Sequence, residues 1–131
     1  PRLEAEGRDI GVVTAIAAPA TLHLRLSGEG GHAGAVLMSE RRDALLAAAE
    51  VALAAERAAK SSGSPDSVAT VGILDLKPRA VNSIPSEAFL TLDVRDTELA
   101  RRDRVLAEIR SSVAAIAAAR GVSAQLQTRN A

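Results

Sequence analysis

Apolar and polar residues alternate strictly along two stretches of the chain, residues 21–27 and residues 88–95. Alternation with a period of two predicts strands that have one buried and one polar face. The apolar positions of these two strands are Leu22, Leu24, Leu26, Ala88, Leu90, Leu92 and Val94. We predict two further strands at residues 68–76 and 122–127, and an additional short strand at residues 10–16. Between the short strand and the first alternating strand, Pro19 indicates a turn at residues 17–20.

A helical pattern follows the first alternating strand. Ser39 is a candidate N-cap, Glu40 suits the first turn, and the helix is predicted to run to about Lys60. It carries two apolar stripes, the first of Leu45, Ala48, Ala52 and Ala59, the second of Ala44, Ala47, Val51, Ala54 and Ala58. A helix on a sheet buries one stripe, so we expect the second to receive a further element and favour a partner helix. The alternative is that alanine is simply a good helix former here.

A second helix is predicted to begin after a cap at Asp96 or Thr97 and to stop at Gly121, a residue suited to a helix C-terminus. Its apolar stripe and its solvent-facing side separate clearly. The stripe is Leu106, Ile109, Val113 and Ile116, and the solvent-facing side is Arg101, Arg104, Glu108 and Ser111.

The order of the main elements is βαββαβ, the split βαβ arrangement of ferredoxin-like domains. We therefore predict an α+β fold, a ferredoxin-like two-layer sandwich in which two helices cover one face of an antiparallel sheet, plus the extra short N-terminal strand. Residues 1–131 form one predicted domain, and the charged residues 1–9 resemble an incoming linker. The other face of the sheet is predicted to be open and polar.

Composition excludes several classes of function. The 131 residues include 16 Lys+Arg and 16 Asp+Glu, and only 1% are aromatic, with Phe89 the single such side chain, so a nucleic-acid partner is not expected. There is no cysteine, which rules out a disulfide, a thiolate metal site or a cysteine nucleophile. No apolar run has membrane-spanning length, and we expect a cytoplasmic protein that does not contact membranes.

Few residues suit catalysis. The only histidines are His23 and His32, and their spacing matches no metal-binding motif. The glycine-rich stretch Gly28–Gly34 lacks the G-K-[ST] ending of a phosphate loop and contains Glu29 where an anion needs donors. No metal site is therefore predicted within this chain.

Three polar residues occupy informative positions at the ends of predicted strands. His32 follows the first alternating strand, Asn82 lies in the loop before the second, and Arg95 ends that second strand. The topology puts His32 and Asn82 at one end of the sheet and Arg95 at the other, on the order of 30 Å away. One copy of the domain cannot bring all three to one small-molecule site, whereas a two-fold dimer or a second domain at each end can. Structural alternatives stay open for each residue. His32 can simply close the bend, Asn82 can make an Asx-type turn, and Arg95 can pair with Asp93 or Asp96.

Four ordered motifs resemble one family along nearly the whole chain. Residues 1–16 resemble the segment after the metal-binding H-x-E-Q-G motif of N-carbamoyl-L-amino-acid hydrolases, allantoate amidohydrolases and bacterial-type β-ureidopropionases, a branch of the M20 metallopeptidases. Residues 31–45 resemble G-H-A-G-x-x-P-M-x-x-R-R-D-A-L, residues 80–85 resemble A-x-N-x-I-P, and residues 92–96 resemble L-D-x-R-D. The chain departs from the pattern at Ala35-Val36-Leu37, where the family has Thr and Pro before the Met.

The resemblance implies a lid and dimerisation domain of a metal-dependent amidohydrolase that cleaves N-carbamoyl amino acids or allantoate-like ureido compounds. It implies that two divalent metal ions, Zn or Mn, lie in a catalytic domain outside residues 1–131, so this fragment alone is expected to be inactive. It assigns carbonyl polarisation in the partner subunit's site to His32, and substrate binding to Asn82 and Arg95, with Arg95 taking the substrate carboxylate.

A homodimer is expected, formed through the second alanine stripe of the first helix and the edge strand at residues 68–76. Two other functions remain open. One is the lid of an M20 aminoacylase or dipeptidase, against which the Arg41–Leu45 stretch argues by its resemblance to the carbamoylase branch. The other is a stand-alone ferredoxin-like module that binds a small ligand on its open sheet face.

Overall fold

The computed structural model describes residues 2–130. Its helices and strands, in chain order, are α1 (Arg2–Ala5), β1 (Ala18–Ser27), β2 (Gly31–His32), a 3₁₀ turn (Met38–Glu40), α2 (Ala44–Lys60), β3 (Val68–Lys77), β4 (Ser83–Ile84), β5 (Glu87–Asp96), α3 (Leu99–Arg120) and β6 (Ser123–Arg129). The four long strands and two long helices confirm the predicted α+β ferredoxin-like order.

The main sheet has the strand order β3-β5-β1-β6, and every neighbouring pair is antiparallel. β1 and β3 therefore run in the same direction on either side of β5, as predicted. Ser27 and Lys77 both pair with Glu87, so the segments that follow β1 and β3 leave from the same end of the sheet. Arg95 pairs with Pro19 and Val68 at the opposite end.

The core lies between the sheet and the two helices. The predicted apolar positions of β1 and β5 are all buried, and Val105, Leu106, Ile109 and Val113 of α3 pack with them. The second alanine stripe of α2 is also buried within the domain, because α2 packs against β3, β5 and α3. The second alanine stripe thus packs against α3 of the same chain. Our assignment of this stripe to a dimer contact was wrong.

The N-terminal region differs from the prediction. Residues 10–16 form no strand, and Ile10 and Val12 are 85% and 88% exposed. Residues 17–20 are not a turn, since β1 begins at Ala18 and includes Pro19, which pairs with Arg95. Within the predicted linker, Arg2–Ala5 form one helical turn; Pro1 lies outside the described residues.

The start of α2 and the end of α3 follow from local capping. α2 begins at Ala44, not after Ser39, because Asp43 accepts hydrogen bonds from the backbone N–H groups of Leu45 and Leu46. Gly121 ends α3 with a left-handed φ of 65°, as predicted.

Gly28 lies where two backbone segments approach closely. A Cβ added there would stand 2.0 Å from the carbonyl oxygen of Arg42. We expect Gly28→Ala to lower the free energy of unfolding by about 2–3 kcal/mol, because backbone atoms must move to admit the methyl group. Urea denaturation of the 131-residue chain measures this. Gly72→Ala is the matched control, since nothing lies within 4 Å of a Cβ there; equal stability of the two variants would contradict the prediction.

Candidate functional site

His32 and Asn82 lie together at one end of the domain. The short strands β2 and β4 pair so that Gly31 faces Ile84 and His32 faces Ser83. The backbone N–H of Ala33 donates to the carbonyl of Asn82 over 2.8 Å. These contacts join the two loops that follow β1 and β3, and so confirm the predicted proximity of the two residues.

The ring of His32 is exposed but oriented. Its Nδ1 accepts a hydrogen bond of 3.0 Å from the backbone N–H of Gly34. A ring nitrogen that accepts a hydrogen bond carries no proton, so the neutral ring holds its proton on Nε2. A Cβ at Gly34 would stand 3.4 Å from Nδ1 and Cε1, so Gly34 lies close against the ring. His32 can therefore donate a hydrogen bond from Nε2 to a group outside the domain.

The loop that carries His32 is closed by residues of the Arg41-Arg42-Asp43 motif. The guanidinium group of Arg41 donates to the carbonyls of Ala33 and Val36, over 2.6 and 3.1 Å. The carbonyl of Arg42 accepts from the N–H of Glu29 at the base of the loop. Because Asp43 caps α2, the motif fastens the loop to the first long helix.

Arg95 projects from the end of β5 beside Asp93. Nε donates to both carboxylate oxygens of Asp93 over 3.0 Å, and one terminal nitrogen donates to Oδ2 over 2.7 Å. These hydrogen bonds raise the pKa of Arg95. The two side chains border an open cleft of about 480 Å³ that Thr91, Thr70, Gly72, Val68 and Ile73 complete. The remaining donors of the guanidinium group are available to an anion in this cleft.

The structure separates the three predicted site residues into two groups. The eight residue steps along β5 from Glu87 to Arg95 span roughly 26 Å. His32 and Asn82 lie beyond the Glu87 end, and Arg95 lies at the other end. One small molecule cannot contact both groups of the same chain.

Sequence reasoning missed two residues that hold these side chains. Arg41 stood inside a quoted motif, but its acceptors are backbone carbonyls, which have no signal in a sequence. Asp93 was considered only as a structural partner of Arg95. The two-residue spacing along a strand, which puts both side chains on one face, was the available signal for its orienting role.

A second cleft of about 550 Å³ lies beneath the loops of the His32 end. Arg41, Asp75, Arg79 and Ser83 are among its polar lining residues. Among residues 2–130, no cluster of three or more His, Asp or Glu side chains is arranged to bind a metal ion. In the same part of the chain, no helix has the length and apolar character needed to cross a membrane.

Comparison with known proteins identifies the class of domain. The family model described as the peptidase dimerisation domain of the M20 group matches residues 17–120. This chain belongs to that family.

Individual relatives are hydrolases of the predicted branch. The chain is 58% identical to ureidoglycolate hydrolase of Arabidopsis thaliana over 93% of its own length and 26% of that protein. It is 39% identical to an N-carbamoyl-L-amino-acid amidohydrolase of a Pseudomonas species, over 97% of the chain and 31% of the relative. The chain thus spans about a quarter to a third of the relatives it matches.

Solved structures of similar proteins superimpose closely on this chain. A crystal structure of AtUAH in complex with (S)-hydroxyglycine superimposes with a TM-score of 0.95 at 55% identity, over 99% of this chain and 31% of that one. A hydantoinase/carbamoylase-family amidase from Burkholderia multivorans gives a TM-score of 0.93 at 36% identity, over 97% and 31%. The range matched by the family model, residues 17–120, does not include residues 10–16.

Proposed function

We propose that this domain is the dimerisation and substrate-binding lid of an amidohydrolase that cleaves ureido compounds bearing a carboxylate, with ureidoglycolate as the first candidate substrate. The observation that carries the proposal is the division of donor groups between the two ends of the sheet. A ureido carbonyl needs hydrogen-bond donors, and a carboxylate needs a guanidinium group. The 58% identity to a ureidoglycolate hydrolase supports the choice of substrate.

His32 and Asn82 serve the carbonyl in this proposal. The Nε2–H of His32 and the amide group of Asn82 donate to the oxygen on which negative charge develops during hydrolysis. Both side chains are exposed at the tip of the domain. They can therefore enter an active site that belongs to another subunit.

Arg95 serves the carboxylate on its own subunit's side. Because about 26 Å separates the two ends, each active site of a dimer takes Arg95 from one chain and His32 with Asn82 from the other. The expected two divalent ions, Zn or Mn, belong to a catalytic domain of the longer protein. The described part of this chain does not fit such ions, so no step here depends on them.

We expect the dimer contact to combine the edge strand β3 with the flank of α2 that faces away from α3. Glu50 of α2 bonds Arg120 of α3, which marks the inner flank of the helix. Leu45 and Ala52 are only half-buried on the opposite flank, next to the edge of the sheet. Val68, Ile73 and Leu74 of β3 are also exposed there. Pairing of two β3 edges would bring the two α2 flanks together.

We expect the 131-residue chain to sediment as a dimer at micromolar concentration and Ala49→Glu to convert it to a monomer. Ala49 is exposed on α2, and a two-fold axis would place two new carboxylates close to one another. Ala115→Glu, on an exposed position of α3, is the control and leaves the dimer intact. Disruption by both variants, or by neither, would contradict this interface.

Arg95→Ala in the longer protein is expected to raise KM by on the order of 10–100-fold and to change kcat less, because the lost contact binds a carboxylate that does not react. Steady-state kinetics with ureidoglycolate measure this. Arg25→Ala is the matched control, since Arg25 lies on the same open sheet face, paired with Glu87. An equal change in KM for both variants would remove the assignment of Arg95.

A substrate comparison tests the proposal as a whole. The longer protein, purified with its metals, is offered ureidoglycolate, an N-carbamoyl amino acid, allantoate and a dipeptide, and release of ammonia or free amine is measured. We expect the highest kcat/KM with ureidoglycolate. Preference for the dipeptide would favour the aminoacylase or dipeptidase alternative and would overturn the proposal.

A further inference from the structure

The guanidinium group of Arg41 lies inside the loop that carries His32. Arg41 is half-buried, and its hydrogen bond to the carbonyl of Ala33 is only 2.6 Å long. A second bond joins Nε to the carbonyl of Val36. Hydrogen bonds from a charged donor are shorter and stronger than neutral ones. Arg41 therefore fixes two carbonyl groups that flank Gly34.

The Ala33 carbonyl and the Gly34 N–H are the two polar groups of one peptide unit. That unit is planar, so holding its carbonyl also sets the direction of its N–H. The same N–H donates to Nδ1 of His32. A continuous chain of hydrogen bonds thus runs from the Arg41 guanidinium group through the peptide to the imidazole ring. Successive bonds in such a chain polarise and strengthen one another.

Backbone hydrogen bonds also hold the loop, in addition to those from Arg41. His32 is paired in the β2–β4 ladder, and its carbonyl accepts from Ala35. Ala33 is tied to Asn82. Arg41 additionally sets the orientation of the Ala33–Gly34 peptide. The tautomer and the direction of the His32 ring depend on that orientation.

We propose that Arg41 is a positioning residue that holds His32 in its Nε2–H tautomer and fixes the ring direction through the Ala33–Gly34 peptide. Without Arg41, the peptide can rotate, Nδ1 loses its donor, and the ring can also carry its proton on Nδ1. A ring in that state presents an acceptor, not a donor, to the substrate carbonyl. The catalytic part of this inference rests on the proposed role of His32.

Nitrogen NMR of the 131-residue chain at mildly alkaline pH tests the inference directly. Imidazole nitrogens report the tautomer, and His23 on the open sheet face is an internal reference. We expect wild-type His32 to show the Nε2–H form and Arg41→Met to shift its signals toward a mixture of tautomers, with faster exchange of the Gly34 amide proton. Arg42→Met removes the neighbouring guanidinium group, which contacts neither carbonyl, and should leave His32 as in the wild type. His23 should not change in any variant.

Kinetics of the longer protein give the second readout. Arg41→Met is expected to lower kcat by on the order of 10²-fold at nearly constant KM, because a misdirected catalytic group costs rate. Arg41→Lys keeps the charge and reaches one carbonyl at a time, so it should recover part of kcat; it also replaces Arg41→Met if that variant does not fold.

The outcomes separate this inference from the proposed function. An unchanged His32 tautomer and Gly34 exchange in Arg41→Met and Arg41→Lys would overturn the inference, as would an equal effect of Arg42→Met. If His32→Ala lowers kcat and Arg41→Met does not, the inference fails and the proposed function stands. If His32→Ala has no effect on turnover, the proposed function fails, and the NMR result alone decides the role of Arg41.

Discussion

Replacing His32 by alanine in the longer protein is expected to lower kcat by on the order of 10²–10³-fold, the usual cost of removing one oxyanion donor. KM is expected to change little, because the hydrogen bond from Nε2 strengthens as charge develops on the carbonyl oxygen and adds less to ground-state binding. The state of the ring supports this expectation, since Nδ1 is engaged by Gly34 and the His32 side chain is exposed. Initial rates with ureidoglycolate across a range of concentrations separate the two constants.

His23→Ala is the matched control for this experiment. His23 pairs with Thr91 and Gln127 in the middle of the sheet and is exposed on its polar face. Its removal should leave both kinetic constants near their wild-type values. Mixing His32→Ala with Arg95→Ala subunits adds a further test, because a shared site regenerates one intact active site per heterodimer. Absence of recovered activity in the mixture would contradict the division of the site between two chains.

Strands β1 and β5 were predictable because one face of each is buried. Leu22, Leu24 and Leu26 had to face the core, which identified the strand and its buried face. Residues 10–16 are equally apolar but form no strand, and they pair with no strand within residues 2–130. An apolar pattern indicates burial, and it does not say whether the partner lies in the same domain.

The residues that cap the helices and the partners in ion pairs were harder to predict. Ser39 and Asp43 are both suitable N-caps, and the helix starts after Asp43, which accepts from the N–H groups of Leu45 and Leu46. Arg101 was expected on the solvent-facing side of α3, yet its side chain is only 18% exposed. Its partner Asp96 comes from the end of a strand, so helical periodicity carried no sign of the contact.

For the candidate site, topology alone placed His32 and Asn82 at one end of the sheet and Arg95 at the other. The residues that orient them were not predictable in the same way. Arg41 acts on backbone carbonyls whose positions depend on the closed loop, and the loop closes through the contact between Glu29 and Arg42. A sequence pattern identifies side chains. The hydrogen bonds of Arg41 depend instead on where the folded loop places its backbone carbonyl groups.

Asp96 is the most completely bonded buried charge in the domain core. It is fully buried and accepts two hydrogen bonds from Arg101, at 2.6 and 2.9 Å, one from the hydroxyl of Ser67 and one from the N–H of Glu98. We expect Asp96→Asn to lower the free energy of unfolding by about 3 kcal/mol, because Arg101 keeps its largely buried position but loses the opposite charge. Urea denaturation measures the loss. Asp93→Asn, which removes an exposed carboxylate three positions earlier, should cost less than about 1 kcal/mol.

The pH dependence of stability gives an independent check on the same residue. The hydrogen bonds from Arg101, with smaller contributions from Ser67 and Glu98, hold the pKa of Asp96 well below its usual range, although burial acts in the opposite direction. The unfolded chain therefore takes up the proton first. The stabilisation from Asp96 is complete above the unfolded carboxyl pKa of about 3.9 and is lost as the pH falls below it. Asp96→Asn should show a flatter decline in the free energy of unfolding between about pH 4 and pH 2 than the wild type. Parallel declines in the two proteins would mean that the Asp96 carboxylate does not contribute this stabilisation.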